Sequence, residues 1–210
     1  MESTSNDIRF GIIIIAAGMS RRLGTLKQLL SFKGNSLLMN TVLTAKQVKT
    51  GVTVVVLGAQ AELLKKQIRA VELDVLVNGQ YQEGMASSIR CGVQHVANRY
   101  KKVEGVVIMV CDQPYVDHTH VEALIEKSEL TNAKVVASTY AGRKGVPAFF
   151  AKDMFPVLAE LKGDIGAKYI LRRRRGVATV AFPLGHIDID TKEAYEQLLE
   201  TTTMHNREKR

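Results

Sequence analysis

The sequence predicts one α/β domain, a mainly parallel sheet held between two layers of helix (three-layer α/β/α). Three observations predict it. Short, β-branched, continuously apolar runs alternate with amphipathic stretches along most of the chain, and strand-then-helix repetition builds a parallel sheet covered on both faces. The 210 residues suit a single large domain, with no internal repeat and no Pro- or Gly/Ser-rich linker to divide them. Hydrophobic residues make up 46% and charged residues 24%, a balance that buries a core and excludes wholesale disorder.

The elements follow in order. Residues 10–15, with four consecutive isoleucines, form the first strand, and residues 36–48 a helix with Ser36 as candidate cap. Residues 52–57 and 73–77 are strands on either side of a helix at 61–70. A helix at 87–99 leads to a strand at 106–110, then a helix at 119–128 with Thr119 as candidate cap, then a strand at 134–138. Beyond residue 140 the pattern loosens. Apolar runs at 146–150 and 177–182 flank helical stretches at 152–161 and 166–173, and a last helix follows Thr191. Residues 1–7 and the basic 201–210 are expected as mobile tails, leaving 8–200 as the domain.

Lys and Arg number 29 against 21 Asp and Glu, a net charge of +8. That favours anionic partners: nucleotides, phosphorylated metabolites, nucleic acid or an acidic membrane surface. Aromatics reach only 6%, with no Trp, which is thin for stacking on single-stranded nucleic acid. Cys91 and Cys111 are too few for a disulfide framework and are expected as free, non-nucleophilic thiols in a reducing cytoplasm. The apolar run 12–17 is far short of the ~18 residues of a membrane span, and residues 1–7 lack the basic start of a secretory signal. The expectation is a cytoplasmic protein without a membrane partner.

In sheets of this kind ligands bind beyond the carboxyl ends of the strands. The first strand runs into Ala16-Ala17-Gly18-Met19-Ser20-Arg21-Arg22-Leu23-Gly24-Thr25-Leu26-Lys27-Gln28-Leu29-Leu30. Its small residues let backbone N–H groups approach phosphate oxygens, and Arg21, Arg22 and Lys27 add cations. A turn with a solvated basic face is the competing reading. Neither G-x-G-x-x-G nor a G-K-[ST] ending is present. Asn78 ends a strand and Ser87 or Ser88 opens a helix, so binding competes with capping there.

The fourth long strand leads into Cys111-Asp112-Gln113-Pro114. A carboxylate directly after a buried parallel strand needs a partner, since burying it alone costs several kcal/mol, and Mg²⁺ is a fitting one. In His186-Ile187-Asp188-Ile189-Asp190-Thr191, alternation puts Asp188 and Asp190 on one face, as candidate further metal ligands. Asp190 is equally a candidate cap of the last helix. His95, His118, His120 and His205 have no metal spacing and read mostly as surface residues, His118 near a helix start. Residues 172–175, four arginines, read as a solvated helix end, with a phosphorylated acceptor or nucleic acid as the alternative partner.

The loop at 15–30 resembles the L-A-A-G-x-S-x-R-M-G-x-x-K-Q-L-L signature of the MobA-like nucleotidyltransferases, with Ile15 for Leu and Leu23 for Met. Residues 78–89 are similar to the family's N-x-x-Y-x-x-G-M-x-x-S-L. Asp112 matches G-D-x-P with Cys111 for Gly, and residues 188–194 match D-I-D-T-P-E-D with Lys192 for Pro and Ala194 for the second acid. Residues 142–147 resemble G-x-x-G-H-P with Val146 for His, and residues 163–168 resemble G-D-x-G-A-R with Lys168 for Arg. The motifs stand in family order over residues 10–195.

The resemblance implies the Rossmann-like nucleotide-diphospho-sugar transferase fold. It implies nucleotide binding by Ala16, Ala17, Gly18, Ser20, Arg21, Lys27, Asn78, Gly84, Ser87 and Ser88, with Mg²⁺ on Asp112 and on Asp190 or Asp188. Arg21, Lys27 and Asp112 would be catalytic, and Gly145, Pro147 and Asp164 would face the acceptor. The chain is most similar to the molybdopterin cytidylyltransferase branch, which implies CMP transfer from CTP to a phosphate-bearing molybdenum cofactor, release of diphosphate, and a client molybdoenzyme. Ala17, where other branches carry Gly, implies a pyrimidine nucleotide. The rivals are transfer to a sugar or polyol phosphate and non-catalytic handling of molybdenum cofactor. Nucleic-acid binding rests on charge alone and ranks last.

Overall fold

The computed structural model describes residues 9–20, 22–49 and 51–208, with side chains through residue 201; the expected tail at 1–7 lies outside the described residues. The isoleucine run becomes β1 (Phe10–Ala16), the centre of the sheet. It pairs in parallel with β4 (Gly51–Leu57) on one side and β6 (Gly105–Val110) on the other, and β5 (Asp74–Val77) adds a parallel edge beyond β4. Between β1 and β4 the chain makes a small separate hairpin of β2 (Ser31–Phe32) and β3 (Asn35–Ser36).

The other half of the sheet is less regular. β7 (Val135–Tyr140) turns back through Ala141 and Gly142, both at positive φ (46° and 69°), into β8 (Arg143–Ala151). A two-residue hairpin of this kind makes its strands antiparallel neighbours. β8 therefore runs against both β6 and β7, and β9 (Ala178–Ala181) lies parallel to β7. The order is β5-β4-β1-β6-β8-β7-β9, the mainly parallel sheet expected.

Both faces are covered. α1 (Leu37–Gln47), α2 (Ala61–Ile68) and α4 (His118–Thr131) pack Leu38, Val42, Leu64 and Leu124 on the face that carries Ile12 and Ile14. α3 (Met85–Arg99), α5 (Phe155–Ala159) and α6 (Lys168–Arg173) pack Ile89, Val93, Phe155 and Leu171 on the face that carries Ile13 and Ile15. The period-two alternation of a strand buried on both sides divides the isoleucines between the layers. A third cluster of Phe32, Leu37, Ile189 and Leu198 ties the β2–β3 hairpin to α7 (Lys192–Glu208).

Two local expectations change. Ser36 caps α1 through Met39 N, as expected, but Asp117 rather than Thr119 caps α4, accepting from His120 N at 2.8 Å. The helix starts at His118, which puts a carboxylate at the cap position, and Thr119 donates to the same carboxylate. The α7 backbone stays helical to Glu208, past the boundary expected for a tail. No helix among the described residues is long and apolar enough to cross a membrane. The topology gathers the carboxyl ends of β1, β4, β5, β6, β7 and β9, together with the start of β8, at one edge of the sheet.

Candidate functional site

The loop leaving β1 is organised by a glutamine. Gln28 is 1% exposed. Its Nε2 donates to the carbonyls of Ala16 (3.0 Å) and Gly18 (2.8 Å), and its Oε1 accepts from the Ser20 hydroxyl at 3.4 Å. Ser20, at φ 52°, in turn accepts from Lys27 N at 3.1 Å. The loop is thus strapped to its own base, which holds its backbone in one shape and aims Lys27 inward. Arg21 lies outside the described residues.

Lys27 meets two carboxylates. Its Nζ lies 2.5 Å from Asp112 and 2.8 Å from Asp190, and Arg22 donates to the second oxygen of Asp190 at 2.6 Å. Asp112 comes from the end of β6, whereas Asp190 comes from the segment before α7. A backbone bond from Ile189 N to Asp112 O (2.9 Å) and the burial of Ile189 fix the two segments together. Asp190 does not cap α7, because Thr191 Oγ1 takes that place by accepting from Ala194 N. Asp188 shares the outward face with Asp190 and borders the same cavity. Burial alone would lower the Lys27 pKa, but the ion pairs with Asp112 and Asp190 outweigh it and hold the ammonium above its ordinary value. Burial raises Asp190, and the cations Lys27 and Arg22 more than reverse this. Burial pushes the Cys111 thiol up to about 12, so it is no nucleophile.

Two cavities meet at Lys27 and Asp112. The smaller, about 120 Å³, is lined by Ala16, Ala17, Gly18, Ser88, Tyr81 and Asp164 among others. The larger, about 230 Å³, is lined by Gln113, Tyr140, Arg143, Lys168, Asp188 and Asp190 among others. A wider groove of about 770 Å³ lies along Glu83, Arg90 and Leu161, away from the carboxylates. Arg90 is already committed there to Glu83 and to the Leu161 carbonyl.

Asn78 donates to Ser87 (2.8 Å) and Ser88 (3.0 Å), and the Ser87 hydroxyl donates to the carbonyls of Gln80 and Gly84. Ser87 therefore ties the 78–84 turn together instead of capping α3. Gly84, at φ 108°, approaches Gly163 and Asp164 so closely that an added Cβ would fall 2.7 Å from their backbone. Asp164 then accepts from Met85 N at 3.2 Å and borders the smaller cavity. Gly145 and Pro147 stand behind the larger cavity. Gly145 packs under the Tyr140 phenol, and the Pro147 carbonyl accepts from Ser138.

Sequence reasoning overlooked Gln28, Gln113 and Tyr140, none of which carries a charge to draw attention. It also counted His120 among histidines read mostly as surface residues. The structure buries His120, stacked on Phe182 at 4.4 Å with Nε2 2.7 Å from Ser138 Oγ. Since Ser138 donates to Pro147, Nε2 of His120 donates to Ser138, and burial holds the His120 pKa below the ordinary value.

The family model for the MobA-like NTP transferase domain matches residues 12–178. The chain belongs to that family. This MobA-like domain is similar to the purine catabolism protein PucB of Bacillus subtilis (strain 168), 28% identical over 89% of this chain and 94% of the relative. It also resembles the nicotine blue oxidoreductase of Paenarthrobacter nicotinovorans, 26% identical over 77% of this chain and 81% of that protein. Among solved structures, Rv0371c from Mycobacterium tuberculosis H37Rv superposes with a TM-score of 0.80 at 29% identity, covering 93% of this chain and 99% of that one. Rv0371c has also been solved in complex with manganese. As a MobA-like NTP transferase, the protein is a nucleotidyltransferase on the Rossmann-like fold.

Proposed function

We propose that the protein moves CMP from CTP to the phosphate of molybdenum cofactor, releasing diphosphate, with Mg²⁺ bound at Asp112 and Asp190. The observation that carries the reading is the convergence of Lys27, Asp112 and Asp190 where two cavities meet, one of them lined by the strapped loop. The donor set fits the metal. Mg²⁺ takes one or two carboxylates and completes its shell with water and substrate phosphate, and these two carboxylates already share one cation between them. When bound, the ion would neutralise charge on the reacting phosphates.

The chain's own residues supply positioning and charge. The base and ribose of CTP lie along Ala16, Ala17 and Ser88, with Asn78 and Ser87 shaping that wall and Gly84 bringing it against Asp164. The triphosphate follows the Gly18–Ser20 backbone toward Lys27; the catalytic role of Arg21, which lies outside the described residues, rests on the family resemblance alone. An oxygen of the acceptor phosphate attacks the α-phosphorus in line, and the bond to the leaving diphosphate breaks. Lys27 stabilises that diphosphate, while Arg143 and Lys168 draw the acceptor's anion into the larger cavity. Gly145 and Pro147 shape its back wall. No covalent enzyme intermediate is needed, so catalysis is orientation plus preorganised charge.

The test is diphosphate release from each nucleoside triphosphate with Mg²⁺ and purified molybdenum cofactor. Release from CTP that depends on the cofactor supports the proposal. Release with a sugar or polyol phosphate instead would move the acceptor assignment. Binding of molybdenum cofactor with no release from any triphosphate would favour a handling protein.

A further inference from the structure

Gln113 is anchored at one end of its amide and open at the other. Nε2 donates to the carbonyl of Gly185 at 2.9 Å, and a carbonyl accepts only from the nitrogen end, so the amide's orientation is settled. Oε1 is buried, in a residue only 6% exposed, and has no hydrogen-bond partner among the described residues. Folded chains rarely leave an acceptor in that condition. Its surroundings are closely built. The Tyr140 phenol is fitted against Gly145 and Gly185, where an added Cβ would fall 1.9 Å and 2.4 Å from its atoms. The phenol donates to the Val146 carbonyl and accepts from the Gln113 amide nitrogen, which leaves Oε1 unpaired all the same. Gln113 also borders the larger cavity, in company with Arg143 and Lys168.

We infer that Gln113 is a specificity residue, whose Oε1 accepts a hydrogen bond from an N–H or O–H donor on the organic part of the phosphorylated acceptor. The cavity offers the cations Arg143 and Lys168 for an anion and, besides the carboxylates of Asp112, Asp188 and Asp190, one neutral unpaired acceptor for a donor, so it suits a molecule carrying both and not a bare phosphate. A ligand that brings a correctly placed donor pairs that oxygen, and a ligand without one does not. This inference rests on the acceptor reading of the larger cavity and adds how the acceptor is told from other phosphate esters.

The experiment is equilibrium binding of three probes to the full chain: a pterin monophosphate with a cyclic-amide N–H, glycerol 3-phosphate with hydroxyl donors, and methyl phosphate with neither. The wild type should bind at least one donor-bearing probe about 10–100-fold tighter than methyl phosphate, and the preferred probe identifies the donor as amide or hydroxyl. Gln113→Met should close that gap to within about twofold while leaving CTP affinity unchanged. Gln113→Leu, which also lacks the oxygen but has a different shape, should close the gap equally, a result that a packing change peculiar to one side chain does not produce. Equal binding of the three probes by the wild type, or a gap that survives in Gln113→Met, would overturn the inference. An intact gap that closes in Gln113→Met, without diphosphate release from any triphosphate, would support Gln113's role and count against the transferase proposal instead.

Discussion

Asp112→Asn separates the catalytic role proposed for this carboxylate from its structural one. The change removes a negative charge at nearly constant size. Lys27 Nζ lies 2.5 Å from Asp112 and 2.8 Å from Asp190, so the ammonium keeps one carboxylate, and the new amide oxygen can still accept from it. The structural loss is one charge-assisted hydrogen bond weakened to a neutral one, about 1–2 kcal/mol. Orphaning the buried ammonium altogether would cost roughly 3–5 kcal/mol. For a domain of this size, a loss of about 1–2 kcal/mol lowers Tm by roughly 2–8 °C. On the proposed metal role turnover should fall much further, by at least ~10²-fold, because that charge would act on the phosphates where charge develops. Diphosphate release across a Mg²⁺ titration, with a thermal melt of the same sample, reads both effects. Near-normal Mg²⁺-dependent turnover would refute the metal assignment. A collapse of the fold would show Asp112 to be chiefly the counter-ion of Lys27.

Gln28→Leu should leave the buried Ala16 carbonyl without its partner, costing about 2–4 kcal/mol with the lost Gly18 bond, and raise the KM for nucleotide more than that for acceptor. Unchanged nucleotide KM would show that the strap does not shape the phosphate loop. Ala17→Gly should raise the use of GTP relative to CTP, since Ala17 lines the smaller cavity and a methyl is worth roughly 10–200-fold in selectivity. Matched diphosphate-release assays decide it, and a wild type that prefers GTP would sink the cytidylyl assignment. His120 is held below its ordinary pKa mainly by burial, with Asp117 opposing. The unfolded chain therefore gains a proton on this group as pH falls through about 6.5 while the folded chain resists, so stability drops below that pH. Melts from pH 7.5 to 5 should lose part of this slope in His120→Phe; an identical slope in the two proteins would contradict it.

The parallel half of the fold was legible because its signals are local. Four consecutive isoleucines cannot be satisfied by a sheet with one wet face, and the glycine loop and Asp112 follow their strands directly in the chain. The β8 direction was not legible from its apolar residues, which read alike in either orientation. It depends on a two-residue turn whose Ala141 takes positive φ, a conformation its residue type does not announce. Asp117 prevailed over Thr119 for a similar reason, since a one-residue shift of helix start decides which side chain caps.

The sequence by itself determined the layers, the small-residue loop after the first strand and the identity of the charged residues, because apolar period, small residues and charge are properties of neighbouring positions. The tertiary structure decided which of them meet. Asp112 and Asp190 are separated by most of a half-chain, and no local pattern says that Ile189 N bonds to the Asp112 carbonyl and brings both carboxylates onto Lys27. Gln28 and Gln113 are uncharged, and their importance comes from burial. A buried amide must place every donor and acceptor, and which carbonyls it finds is settled only when distant segments pack around it.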